Sequence, residues 1–72
     1  MLSDFAEFRE AIHLKPHDAE LHRNLAVVLF QNKQTSEALI QVDSALRIRP
    51  DYPSATKLRS AILNTETSGS LE

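Results

Sequence analysis

Apolar residues recur at helical spacing in four stretches, with turn residues between them. In the first, Phe5, Phe8 and Ile12 fall at i, i+3 and i+7, which marks one face of a helix over about residues 3–14. Ser3 stands where an N-cap belongs, Asp4 and Glu7 suit the first turn, and Pro16 ends the helix by steering Lys15 out of the α region. The second stretch covers about residues 18–32, with Asp18 as N-cap and Glu20 in the first turn. Its centre, Leu25 to Phe30, is apolar all round and by itself fits a strand as well as a helix. The flanking Ala19, Leu21 and Gln31 favour a helix packed on more than one side. The third stretch, about 36–49, has Thr35 as its expected cap, a stripe of Ala38, Leu39, Val42, Ala45 and Leu46, and a basic end at Arg47 and Arg49. The fourth, about 53–64, opens on Pro53 at the favoured first position. It shows one apolar face of Ala55, Leu58, Ala61 and Ile62 beside polar Lys57, Arg59 and Ser60. The tail over 65–72, TETSGSLE, is polar and small and is expected to be disordered; its Leu71–Glu72 resembles a cloning remnant before an affinity tag.

The pattern repeats. Pro16 and Pro50 stand 34 residues apart, and the same shift pairs Phe5 with Leu39, Phe8 with Val42, Ala11 with Ala45, and Ile12 with Leu46. It also pairs Leu14 with Ile48, Lys15 with Arg49, Val28 with Ile62, and Leu29 with Leu63. Most pairs preserve apolar or basic character rather than identity, which is what a stacked helical repeat demands. The stretches AIHLKPHDAEL and ALRIRPDYPSA are therefore the same joint met twice: the end of one helix, a proline stop, and the start of the next.

Composition narrows the picture. The chain has 72 residues, one Gly, three Pro and no Cys, so it makes at most one small domain without disulfides or thiolate metal sites. Net charge is -2 with mixed signs, which offers no basic footprint for nucleic acid and no polybasic membrane patch. No apolar run approaches the roughly 20 residues that cross a bilayer, and the N-terminus lacks the features of a signal peptide. A cytoplasmic setting is favoured on this basis.

From Ala19 to Pro50 the sequence resembles a tetratricopeptide repeat (TPR). The family's pattern of apolar, small and proline positions is met by Leu25, Ala26, Leu29, Ala38, Val42, Ala45 and Pro50, with His22 where an aromatic is usual. At the turn the family often has Gly where Lys33 stands, so Asn32 is expected to take the left-handed cap conformation. The resemblance implies an all-α fold: four helices in antiparallel helix-turn-helix pairs forming a right-handed superhelical stack. It covers one full repeat. Residues 3–16 look like the second helix of a preceding repeat, and 53–64 like a following first helix or a solvating cap.

The resemblance also implies a function, that of a scaffold or adaptor which binds a partner protein or peptide along the concave face of its first-type helices. On the second stretch Glu20, Arg23, Asn24, Val27 and Gln31 form one stripe at i, i+3, i+4, i+7 and i+11, with Phe30 flanking it, and Lys57 adds a cation from the fourth. In the family's receptors for chaperone tails, Asn24 and Lys57 match two residues of a carboxylate clamp. Ala61 stands where that clamp needs Arg, so a working clamp is not expected. The alternatives are self-association through Phe5 and Phe8 of the first helix, giving a homo-oligomer, or a piece of a longer array. No cofactor is expected. His13, His17 and His22 are split by Pro16, and packing or solvated roles suit them better than metal ligation. No phosphate loop, nucleophile–base pattern or metalloprotease motif occurs, so an enzyme is not expected.

Overall fold

A computed structural model describes residues 3–71, with side chains described for 6–65. Four helices follow in order: α1 (Ser3–Leu14), α2 (Ala19–Gln31), α3 (Thr35–Ile48) and α4 (Pro53–Leu71). The described residues form no strand. The short connections make successive helices antiparallel neighbours. The helix α2 is central: it packs against α3 most extensively and also against α1 and α4, while α3 packs against α4.

Each boundary has a local cause. Asp18 caps α2, its Oδ1 accepting from the backbone N–H groups of Glu20 (3.0 Å) and Leu21 (3.4 Å). Arg49, held extended before Pro50, closes α3. The α2–α3 turn corrects two expectations. Asn32 keeps φ at -94°, and Lys33 takes the left-handed conformation, with φ at 65°. The Gln34 N–H reaches back to Leu29 O at 2.9 Å and the Lys33 N–H to Phe30 O at 3.0 Å, the paired bonds of a Schellman cap. That motif sets the left-handed residue one place beyond Asn32. It also fixes Gln34, not Thr35, as the residue before α3, and Gln34 supplies no side-chain cap bond.

The helix α4 runs past Asn64, where the sequence reading ended it. Residues 54–68 contain neither Pro nor Gly, and the Thr65 hydroxyl donates to Ala61 O at 3.0 Å, so nothing stops the backbone ladder there. Side chains from 66 onward lie outside the described residues, but the backbone over 65–71 continues α4, where the sequence led to an expectation of disorder.

The core is made by close approach. Its buried residues are Leu25, Leu29, Val42 and Ile62 together with Ala19, Ala26, Ala38, Ala45 and Ala55. Alanines at five of the nine positions let α2, α3 and α4 come together with little bulk between them, so shape complementarity at these positions sets the spacing. Two exposed ion pairs tie neighbouring helices: Arg9 to Glu37 at 3.1 Å and Arg59 to Asp43 at 2.7 Å. Each contributes about 0–1 kcal/mol at most.

Candidate functional site

The first-type helices α2 and α4 lie side by side, and a polar seam joins them. The Arg23 guanidinium donates from Nε to the Ser54 hydroxyl at 2.9 Å and from Nη1 to Asn24 Oδ1 at 2.6 Å. Arg23 and Asn24 are half-buried, so these bonds hold both side chains in one arrangement. Val27, one turn further along α2, is also half-buried, while Glu20 and Gln31 at the ends of the stripe are exposed. On α4, Lys57 is exposed one turn beyond Ser54, and exposed Ala61 follows on the same face. Thus the structure bonds Arg23 directly to α4 and ties Asn24 to Arg23, while Lys57 lies one turn beyond Ser54 on α4.

Phe30 sits differently. It is half-buried and packs against the core, so its ring braces α2 more than it offers a free edge. Ser54 was missed by the sequence reading: a lone Ser after a Pro reads as a helix start, and its link to Arg23 spans 31 residues. Phe8 is half-buried and packs against the core, whereas the side chain of Phe5 lies outside the described residues.

His22 occupies the expected packing slot and is satisfied there. Its Nε2–H donates to the Pro16 carbonyl at 2.9 Å, and its Nδ1 meets the Gln41 side-chain amide at 2.9 Å. One ring thereby ties the first proline joint to α2 and α3. Close by, a concavity of about 570 Å³ lies between the two joints, walled by Lys15, Pro16, His17 and Asp18 on one side and Ile48 and Arg49 on the other. The Arg49 guanidinium stacks 4.7 Å from the centre of the Tyr52 ring, which stiffens the second joint.

Four antiparallel helices, a proline joint met twice, and alanines at the close approaches are what a family-wide comparison recovers: the tetratricopeptide-repeat model matches residues 5–62. The chain belongs to the tetratricopeptide-repeat family. Comparisons with curated proteins and with solved structures each gave no match. TPR repeats are typically non-enzymatic; in general they are protein-interaction modules, and that general role attaches to this chain. Among the described residues, no group of three or more His, Cys, Asp or Glu side chains is placed to hold a metal ion.

Proposed function

We propose that this TPR chain acts as a scaffold or adaptor, receiving an extended or helical segment of a partner protein across the α2–α4 face. Glu20, Arg23, Asn24, Val27 and Gln31 form one wall, and Lys57 lies on the other. The observation that carries this reading is the Arg23–Ser54 bond. It couples the two first-type helices and fixes Asn24, so the face is organised before a partner arrives and only the partner loses freedom on binding. The mixed charge of Glu20, Arg23 and Lys57 around Val27 suits a segment with one apolar anchor and polar flanks.

The test is affinity capture by the wild-type chain and by a Val27→Ala, Lys57→Glu double variant. Val27 is only half-buried and Lys57 is exposed, so far-ultraviolet circular dichroism of the variant should match the wild type. Partners retained by the wild type and lost by the double variant support the groove. A partner captured equally by both rules this face out. Arg23→Glu with Val27→Ala is the harsher version, because it also breaks the seam to Ser54.

A further inference from the structure

The cations of this chain fall into two groups. Arg9 and Arg59 sit in ion pairs, and Arg23 is bonded to Ser54 and Asn24. Lys15, Lys33, Arg47, Arg49 and Lys57 belong to no ion pair among the described residues. Of these, Lys15, Arg47 and Arg49 come together at the end of the stack where both proline joints lie. Lys15 and Arg49 line the concavity of about 570 Å³ between the joints. Arg47 lines a second concavity, of about 180 Å³, beside it. The two share Pro16, His17 and Ile48 as walls. Asp18 is the one acidic residue in either wall among the described residues, and its Oδ1 already accepts from the Glu20 and Leu21 N–H groups. Glu20 and Asp51, exposed and close in sequence, line neither concavity. In the smaller one the His22 ring is bonded at both nitrogens, and the Ser44 hydroxyl donates to Ile40 O at 3.1 Å. The groups left there for a ligand are His17 and Arg47.

Arg47, Ile48 and Arg49 are consecutive at the end of α3. Ile48, 36% exposed, enters both concavities, and each of its neighbours enters one. The result is two cationic subsites, Lys15 with Arg49 and Arg47 with His17, flanking an apolar ridge of Ile48 and Pro16. Basic residues near the ends of α1 and α3 also complement the helix dipoles. That accounts for a cation at each helix end, but not for an isoleucine left open between cations. A phosphate group would satisfy the cations and gain nothing from the ridge. An extended peptide uses both, because its alternate side chains share one face at steps of about 7 Å. Acidic, apolar and acidic side chains at i, i+2 and i+4 then meet one subsite, the ridge and the other subsite.

We infer that the end face between the two proline joints is a second binding site, for an extended acidic peptide segment with the pattern acidic–x–apolar–x–acidic. Charge complementarity on both sides of an apolar ridge selects this occupant. The site shares no residue with the α2–α4 groove and stands or falls independently of it.

The probe is the peptide Ser-Glu-Ser-Leu-Ser-Glu-Ser, acetylated and amidated so that its termini carry no charge, titrated into the ¹⁵N-labelled chain. The expected result is saturable one-to-one binding with Kd of about 0.1–1 mM and amide shifts centred on Lys15, His17, Arg47, Ile48 and Arg49. Lys15→Gln with Arg47→Gln removes one cation from each subsite. Both side chains are exposed, so circular dichroism should be unchanged while binding weakens by about tenfold or more. Lys33→Gln, an exposed cation at the opposite end of the stack, should leave binding unchanged. A peptide with Ser in place of its Leu should bind about threefold more weakly or worse, because it loses the ridge. Absence of saturable binding up to about 1 mM peptide overturns the inference. Equal affinity for the Leu and Ser peptides overturns it too, as does inorganic pyrophosphate binding more tightly than the peptide, which would assign the cations to a phosphate ligand. Shifts confined to Arg23, Asn24 and Lys57 would credit the groove and overturn this site alone.

Discussion

Lys33 holds the left-handed position of a Schellman cap, at φ 65°, with a side chain that disfavours it. Replacing it with Gly removes the contact between Cβ and the carbonyl, worth about 1–2 kcal/mol. Two terms oppose the gain. Gly has more freedom to lose on folding, about 0.5–1 kcal/mol. The lysine ammonium also favours the C-terminus of α2 by about 0.3 kcal/mol at an exposed site. The net expectation for Lys33→Gly is a stabilisation of about 0.5 kcal/mol, or roughly 2–4 °C in Tm for a domain of this size. Lys33→Ala separates the terms, because it drops the charge and keeps the Cβ. Gly should exceed Ala at this position by about 0.5–1 kcal/mol, with the backbone bonds from Lys33 and Gln34 to Phe30 and Leu29 present in both.

The assay is urea unfolding followed at 222 nm, with an unchanged m-value required so that the midpoint reports stability alone. Asn32→Gly is the decisive companion. At φ -94° Asn32 gains nothing from glycine and should lose about 0.5–1 kcal/mol. A chain stabilised by Asn32→Gly and destabilised by Lys33→Gly would place the left-handed residue at Asn32 and refute the cap described above.

Three further outcomes follow from the same geometry. Gln34 precedes α3 without capping it, so Gln34→Asp, whose carboxylate can accept from the free N–H groups of the first turn, should raise the urea midpoint by an amount equal to about 0.5–1 kcal/mol. Leu25 is 1% exposed at the centre of the α2 packing, so Leu25→Ala should cost about 2–5 kcal/mol and remove most cooperative unfolding from so small a domain. Ile40→Ala, at a side chain 60% exposed, should move the midpoint by no more than about 0.5 kcal/mol in the same experiment.

The helices and joints were legible in the sequence because they rest on local rules. Asp18 caps, Pro16 and Pro50 stop, and the apolar spacing of α1 and α3 admits one face. The turn was misread by one residue for a physical reason. Asn tolerates the left-handed region better than Lys, so local preference points to Asn32. The Schellman bonds to Leu29 and Phe30 fix the geometry from the helix side and override it. On the candidate groove, the α2 stripe could be read from spacing alone. Ser54 could not, because its role depends on how closely α2 and α4 approach, and nothing near residue 54 encodes that.

Ala11 and Ala45 show where such reading stops in general. They are the same residue at equivalent places of one repeat, each four residues before a Lys or Arg that precedes proline. A periodic sequence assigns them one role, yet Ala45 is sealed and Ala11 is half-open. In a stacked repeat a residue's burial belongs to the helix that arrives beside it. The period therefore specifies the shape and chemistry that each position will accept, while the identity of the neighbour is set elsewhere. That division is why the fold of this chain follows from its own letters. It is also why burial at equivalent positions diverges where the neighbours differ, as between the open first joint and the closed second.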